Sequence, residues 1–207
     1  MAETEKLPPE ALEAIAGKIR ARLVDTTHHD LITEAAADLN TAGKPKSNLA
    51  EVGETLKVWT LGTDDVERFK QAGSDLKELA HETERWHHQV KFAGIAKAFA
   101  RTMQLDESDA DWSVRELFVS PLAALINSAI TLADKEVDDN KKVHLLSVPA
   151  YQVQALWFVD KVPDGEESQV LIVSAPEHFA ELQPGRFLSS HEFLNALANE
   201  SFIVGLR

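Results

Sequence analysis

The stretch Arg85-Trp86-His87-His88-Gln89-Val90-Lys91-Phe92-Ala93-Gly94 is the densest collection of chemically capable side chains in the chain. Imidazoles can carry protons or ligate metals, and a guanidinium, an amide and an ammonium stand close by in sequence. Whether any of them act together depends on the period of the backbone that carries them. In a strand, Trp86, His88, Val90 and Phe92 share one face while Arg85, His87, Gln89 and Lys91 share the other. His87 and His88 then point apart and cannot grip one metal ion or one substrate. In a helix they would stand about 100° apart, which serves little better.

A site at this stretch therefore uses one histidine with partners brought from elsewhere, such as His81, His144, His178 or Glu84. His87, beside Arg85 and Gln89, is the site candidate, and His88, on the side of Trp86 and Phe92, is expected to be buried and neutral. The candidate ligand-binding set is Trp86, His87, Gln89, Arg101 and Trp157, chosen by strand proximity.

Other constellations have ordinary structural uses. His28-His29-Asp30 stands at a helix start, where Asp30 favours the positive end of the dipole. Ser189-Ser190-His191-Glu192 has serine-triad residue types, yet sequence neighbours cannot adopt the relay geometry, and Ser189 with Glu192 spells a capping box. Asp134 to Asn140 begins like a calcium loop but has Asp139 where glycine belongs and Leu145 in place of the bidentate glutamate. No H-E-x-x-H, G-x-S-x-G, G-x-x-x-x-G-K or G-x-G-x-x-G occurs among the 207 residues. The expectation is no cofactor and no metal.

Composition narrows the classes further. With no cysteine, disulfides and thiolate chemistry are excluded. A formal net charge of −13 without a basic cluster disfavours nucleic acid and anionic membranes as partners. No run approaches the roughly 20 apolar residues of a membrane span, and the N-terminus lacks a basic, apolar leader. These features predict a cytoplasmic protein. Apolar residues at 44 % and charged residues at 27 % are ordinary for a globular chain.

The elements that would position these side chains follow from periodicity. Leu12, Ile15, Ala16, Ile19 and Leu23 predict a helix over 8–23, and Leu31, Ile32, Ala35, Ala36 and Leu39 a second over 28–41, with Thr27 and Asp30 as its capping pair. Residues 41–48 read as a linker. The spacing then predicts a strand at 54–61, a short helix from 62 to 69, and a helical turn capped by Ser74. Periods compete at 85–92, where Leu76, Leu79, Thr83, Trp86 and Val90 also fit a helix. Gly94 favours a hairpin with 95–103, although Ile95, Phe99 and Met103 also suit a helix.

A solvated loop at 106–111 precedes a strand at 115–119. Ser120-Pro121 starts a core helix over 122–137. Strands follow at 143–148, 151–160 and 169–174; the unbroken apolar runs 155–159 and 170–173 imply that the last two are covered on both faces. A turn at Pro184-Gly185, a helix over 190–199 and an apolar tail at 202–206 complete the chain. This order predicts an α+β fold: a mostly antiparallel sheet packed with helices over 49–207, preceded by an N-terminal helical hairpin over 1–43. The leading expectation of function is a non-enzymatic protein-protein interaction or self-association module, with a protein partner or homodimer. The alternative is a small-ligand binder or histidine-assisted hydrolase with a pocket near the Trp86–Gln89 strand.

Overall fold

The computed structural model describes residues 3–4, 7–24, 50–92, 94–105, 112–161 and 168–199. In chain order its elements are β1 (Glu3–Thr4), α1 (Pro9–Val24), β2 (Ala50–Thr60), α2 (Thr63–Ala72), α3 (Leu76–Leu79), β3 (His81–Phe92), β4 (Ile95–Gln104) and β5 (Trp112–Val119). There follow α4 (Pro121–Glu136), β6 (Lys141–Val148), a 3₁₀ turn (Pro149–Tyr151), β7 (Val153–Asp160), β8 (Gln169–Ser174), β9 (Phe187–Ser189) and α5 (Ser190–Asn199). The class is α+β. The pairs β3–β4, β4–β5, β6–β7, β7–β8 and β8–β9 are all antiparallel. Two compact units emerge: residues 4–58 with 84–128, and residues 1–3, 59–83 and 129–207.

In the first unit the strands run in the order β5-β4-β3-β2. Helix α1 buries Ala11, Ile15, Ile19 and Leu23, one residue per turn, against Trp86, Val90 and Phe92 of β3, Ala98 and Ala100 of β4, and Trp112, Val114 and Leu117 of β5. Its cationic residues add directional contacts. Lys18 donates to the carbonyl of Trp112, Arg22 to that of Val114 at 2.6 Å, and Arg20 to that of Ala50 at 3.4 Å. The α1 helix thus packs on its own unit. The second helix predicted over 28–41, the linker, the 106–111 loop and the tail over 202–206 lie outside the described residues.

The competition of periods at 85–92 is resolved as strand. The hairpin closes at Phe92 opposite Ile95, with Gly94 at φ 80° supplying the left-handed turn residue. A bulge follows between Val90 and Lys91, where Lys91 faces Ala96 but Val90 faces Ala98, leaving Lys97 as the extra residue on β4. A second bulge on β5 sets Glu116 opposite Arg101 and Val114 opposite Thr102.

In the second unit, β6, β7, β8 and β9 lie side by side in that order. Leu146, Ala155, Trp157, Val170 and Ile172 form a core with Val66 and Phe69 of α2, Leu76 and Leu79 of α3, and Phe193, Leu194 and Leu197 of α5. The intervening residues Leu156, Phe158, Leu171 and Val173 are buried too, so β7 and β8 are covered on both faces, as their unbroken apolar runs require. Asp65 ties α2 to its entry: one carboxylate oxygen accepts from Gly62 N at 2.8 Å and the other lies 3.0 Å from His81 Nε2.

Local differences from expectation are small and have plain causes. Asp75, not Ser74, caps α3, its carboxylate accepting from Lys77 N. The strand β9 has three residues, too few for an alternating pattern to show. The helix α4 begins as Ser120-Pro121 dictates, with Ser120 Oγ accepting from Leu122 N at 3.2 Å.

Candidate functional site

The alternation of β3 divides its two histidines as the strand reading requires, and their surroundings differ sharply. Both are fully buried. On the α1 side, His88 Nδ1 lies 3.1 Å from Thr55 Oγ1 of β2, and Nε2 lies 2.7 Å from Thr102 Oγ1 of β4. A hydroxyl can donate to one ring nitrogen and accept from the other, so a neutral imidazole is satisfied there without a charge. Burial pushes the His88 pKa down to about 3.

The opposite face holds a compact block of six side chains on three strands. Cross-strand pairing forms one row from His87, Arg101 and Glu116 and a second from Gln89, Phe99 and Phe118. The His87 ring stacks on Phe99 at 5.0 Å between centroids, and the Arg101 guanidinium lies 5.5 Å from the same ring. An Arg101 nitrogen sits 3.3 Å from Glu116 Oε2. On the same face beyond Gln89, the side chain of Lys91 passes so close to Gly53 of β2 that a Cβ there would meet its Cε at 2.6 Å.

Among the described residues, ten buried side-chain polar atoms lack a hydrogen-bond partner, and five of them fall in this block. Among the described residues neither ring nitrogen of His87 has a hydrogen-bond partner, nor has either end of the Gln89 amide, nor Arg101 Nε, although all these atoms are shut away from solvent. Burying such groups unpaired costs free energy, about 1 to 3 kcal/mol each, and native proteins rarely tolerate it without a use. Burial first, then the nearby Arg101 charge and His88, lowers the His87 pKa to about 3. His87 is therefore neutral, with one donor and one acceptor.

Of the five residues selected from sequence, His87, Gln89 and Arg101 come together here. Trp86 is on the other face of β3, where Lys57 Nζ stands 4.8 Å from its ring centroid and Trp112 meets it edge-on at 6.4 Å. Trp157 belongs to the second unit, in a triangle with Trp59 at 5.3 Å and His144 at 5.9 Å. Phe99, Glu116 and Phe118 were not foreseen. Phe99 carries a signal, since it alternates with Arg101 along one strand, but the bulge that aligns Glu116 leaves no mark in composition.

The remaining motifs take structural roles where they are described. Ser189 and Glu192 make the capping box: Glu192 N donates to Ser189 Oγ at 3.1 Å, and Ser189 N to Glu192 Oε2 at 2.8 Å. Hydrogen bonding to the carboxylate from the Ser189 backbone N–H, then from its hydroxyl, holds the Glu192 carboxyl below its usual pKa. His28, His29 and Asp30 lie outside the described residues. Among the described residues no group of three or more His, Asp or Glu side chains is arranged to hold a metal ion, and no helix is long and apolar enough to cross a membrane. Comparisons with protein-family models, curated proteins and solved structures return no match to this chain.

Proposed function

We propose that this is a non-enzymatic binding protein whose first unit takes a small polar ligand at His87, Gln89 and Arg101. The observation that supports it is the set of five buried polar atoms on one sheet face that lack partners among the described residues. A ligand that satisfied them would gain hydrogen bonds in a low-dielectric site, where each is worth more than in water. Hydrolysis finds less support. A general base needs an oriented ring and a pKa near the working pH, whereas neither His87 nitrogen is hydrogen bonded and its pKa lies at about 3. The test is a screen of small polar fragments against isotope-labelled full-length protein. Hits should perturb His87, Gln89 and Arg101 signals together; hits confined to other residues, or none, would refute the proposal.

Self-association is the second reading, favoured by the exposure of Phe118, Ile95 and Leu125 in the first unit. Light scattering across a concentration series is its test. A mass that rises with concentration, and falls back in Phe118→Lys, would support it; a constant monomer mass would remove it.

A further inference from the structure

We infer that the ligand of the His87–Gln89–Arg101 cluster presents a neutral carboxamide-type edge, donor and acceptor side by side, on a flat apolar body that enters over β5; this rests on the ligand-binding reading above. The first ground is complementarity. The unpartnered atoms are of both kinds: Gln89 Nε2 and Arg101 Nε donate, Gln89 Oε1 accepts, and a neutral imidazole supplies one of each. A carboxylate, which only accepts, would leave Gln89 Oε1 and the His87 lone pair unpaired. An ammonium or amidinium, which only donates, would leave the amide and guanidinium hydrogens unpaired. An amide edge meets both, and can pair with the Gln89 amide through two parallel hydrogen bonds.

The second ground is charge. The cation within the block, Arg101, already has Glu116 beside it at 3.3 Å, the buried imidazole adds none, and Lys91, farther along the face, extends over Gly53 of β2. A charged ligand would bring an uncompensated charge into this buried block, which is strongly disfavoured. The third ground is access. Exposure rises steadily along both rows from β3 toward β5: from Gln89 at 0 % through Phe99 at 6 % to Phe118 at 51 %, and from His87 at 0 % through the Arg101 side chain at 18 % to that of Glu116 at 33 %. Solvent thus reaches the β5 margin of the block, while the five unpaired polar atoms behind it stay shut away. There Phe118 and Phe99, with ring centroids 5.7 Å apart, form an apolar approach to the polar atoms.

Three probes of one shape and different charge decide the matter: benzamide, benzoate and benzamidine, each titrated into isotope-labelled full-length protein and followed at the Gln89 side-chain amide and the His87 ring. Benzamide should move both signals and bind at least about tenfold tighter than either charged analogue. In Gln89→Met, which keeps the side chain's length and removes its hydrogen bonds, the folded spectrum should persist and the benzamide response vanish. Tighter binding by benzoate or benzamidine at these residues would overturn the neutral-edge inference while leaving a ligand site in place. A benzamide response that survives Gln89→Met would likewise place its amide elsewhere. If none of the probes moves either signal, the carboxamide inference fails; failure of a broader fragment screen at these residues as well would remove the ligand-binding reading.

Discussion

His87 and His88 are consecutive on β3 and equally buried, yet both His88 ring nitrogens have a threonine hydroxyl within hydrogen-bond distance while neither His87 nitrogen has a partner among the described residues. Identical chemistry one residue apart therefore has opposite consequences for stability. His88 is part of a satisfied core; His87 is a cost that the fold carries.

Substitution should expose this difference. His88→Leu strands two buried threonine hydroxyls and is expected to destabilise the protein by about 2 to 4 kcal/mol. His87→Leu and Gln89→Met remove unpaired polar atoms and are expected to be neutral or stabilising by about 1 to 2 kcal/mol. Urea unfolding of the three variants beside the parent checks the prediction; equal losses at 87 and 88 would show that His87 is satisfied in solution.

Acid should unfold the protein well before its carboxylates titrate. Both histidines have folded-state pKa values near 3, below the ordinary 6.5, so the unfolded chain takes up protons that the folded one refuses. Their neutral burial imposes no penalty above pH 6.5. Stability is then lost as pH falls from 6.5 toward 3, and at pH 5 each histidine accounts for about 2 kcal/mol of the loss. Denaturation midpoints measured from pH 7.5 to pH 4.5 should fall steadily, and His88→Gln should flatten the slope. A flat profile would contradict it.

The cap of α5 offers a smaller and cleaner test. Ser189→Ala removes the hydroxyl that accepts from Glu192 N and should cost about 1 kcal/mol, whereas Ser189→Asp should hold most of it. Thermal unfolding resolves the two; indifference to both would mean that the helix end is satisfied otherwise.

The α1 packing predicts a larger loss. Ile15 is fully buried among Trp86, Trp112 and their neighbours, so Ile15→Ala should cost about 2 to 5 kcal/mol through lost apolar burial and the cavity left behind. A loss under about 1 kcal/mol, by urea unfolding, would imply that α1 is not docked.

Much of this was legible from residue order. Alternation divided β3 correctly into an α1 face and a polar face, and the apolar runs at 155–159 and 170–173 identified strands covered on both sides. The composition of the cluster was less accessible because it depends on register. Continuing the Phe92–Ile95 pairing without a bulge would bring Ala100 opposite His87; the extra residue Lys97 brings Arg101 there instead. Strand proximity alone brings Arg101 near, and only the bulge sets it opposite His87. Trp86 is as near in sequence, but alternation carries it to the other face. Trp157 shares strand character with the others but belongs to a different unit, a division that no stretch of the sequence marks.

The contacts of α1 with β5 have a further meaning. β5 is the outermost strand in the order β5-β4-β3-β2, and an outermost strand offers its peptide groups as a template for a stranger's chain. Lys18 and Arg22 occupy the carbonyls of Trp112 and Val114 with positive charge, a device that resists edge-to-edge aggregation as well as holding the helix in place. Two cations of an otherwise acidic chain thus stand at the margin of the sheet, where positive charge disfavours amyloid-like pairing.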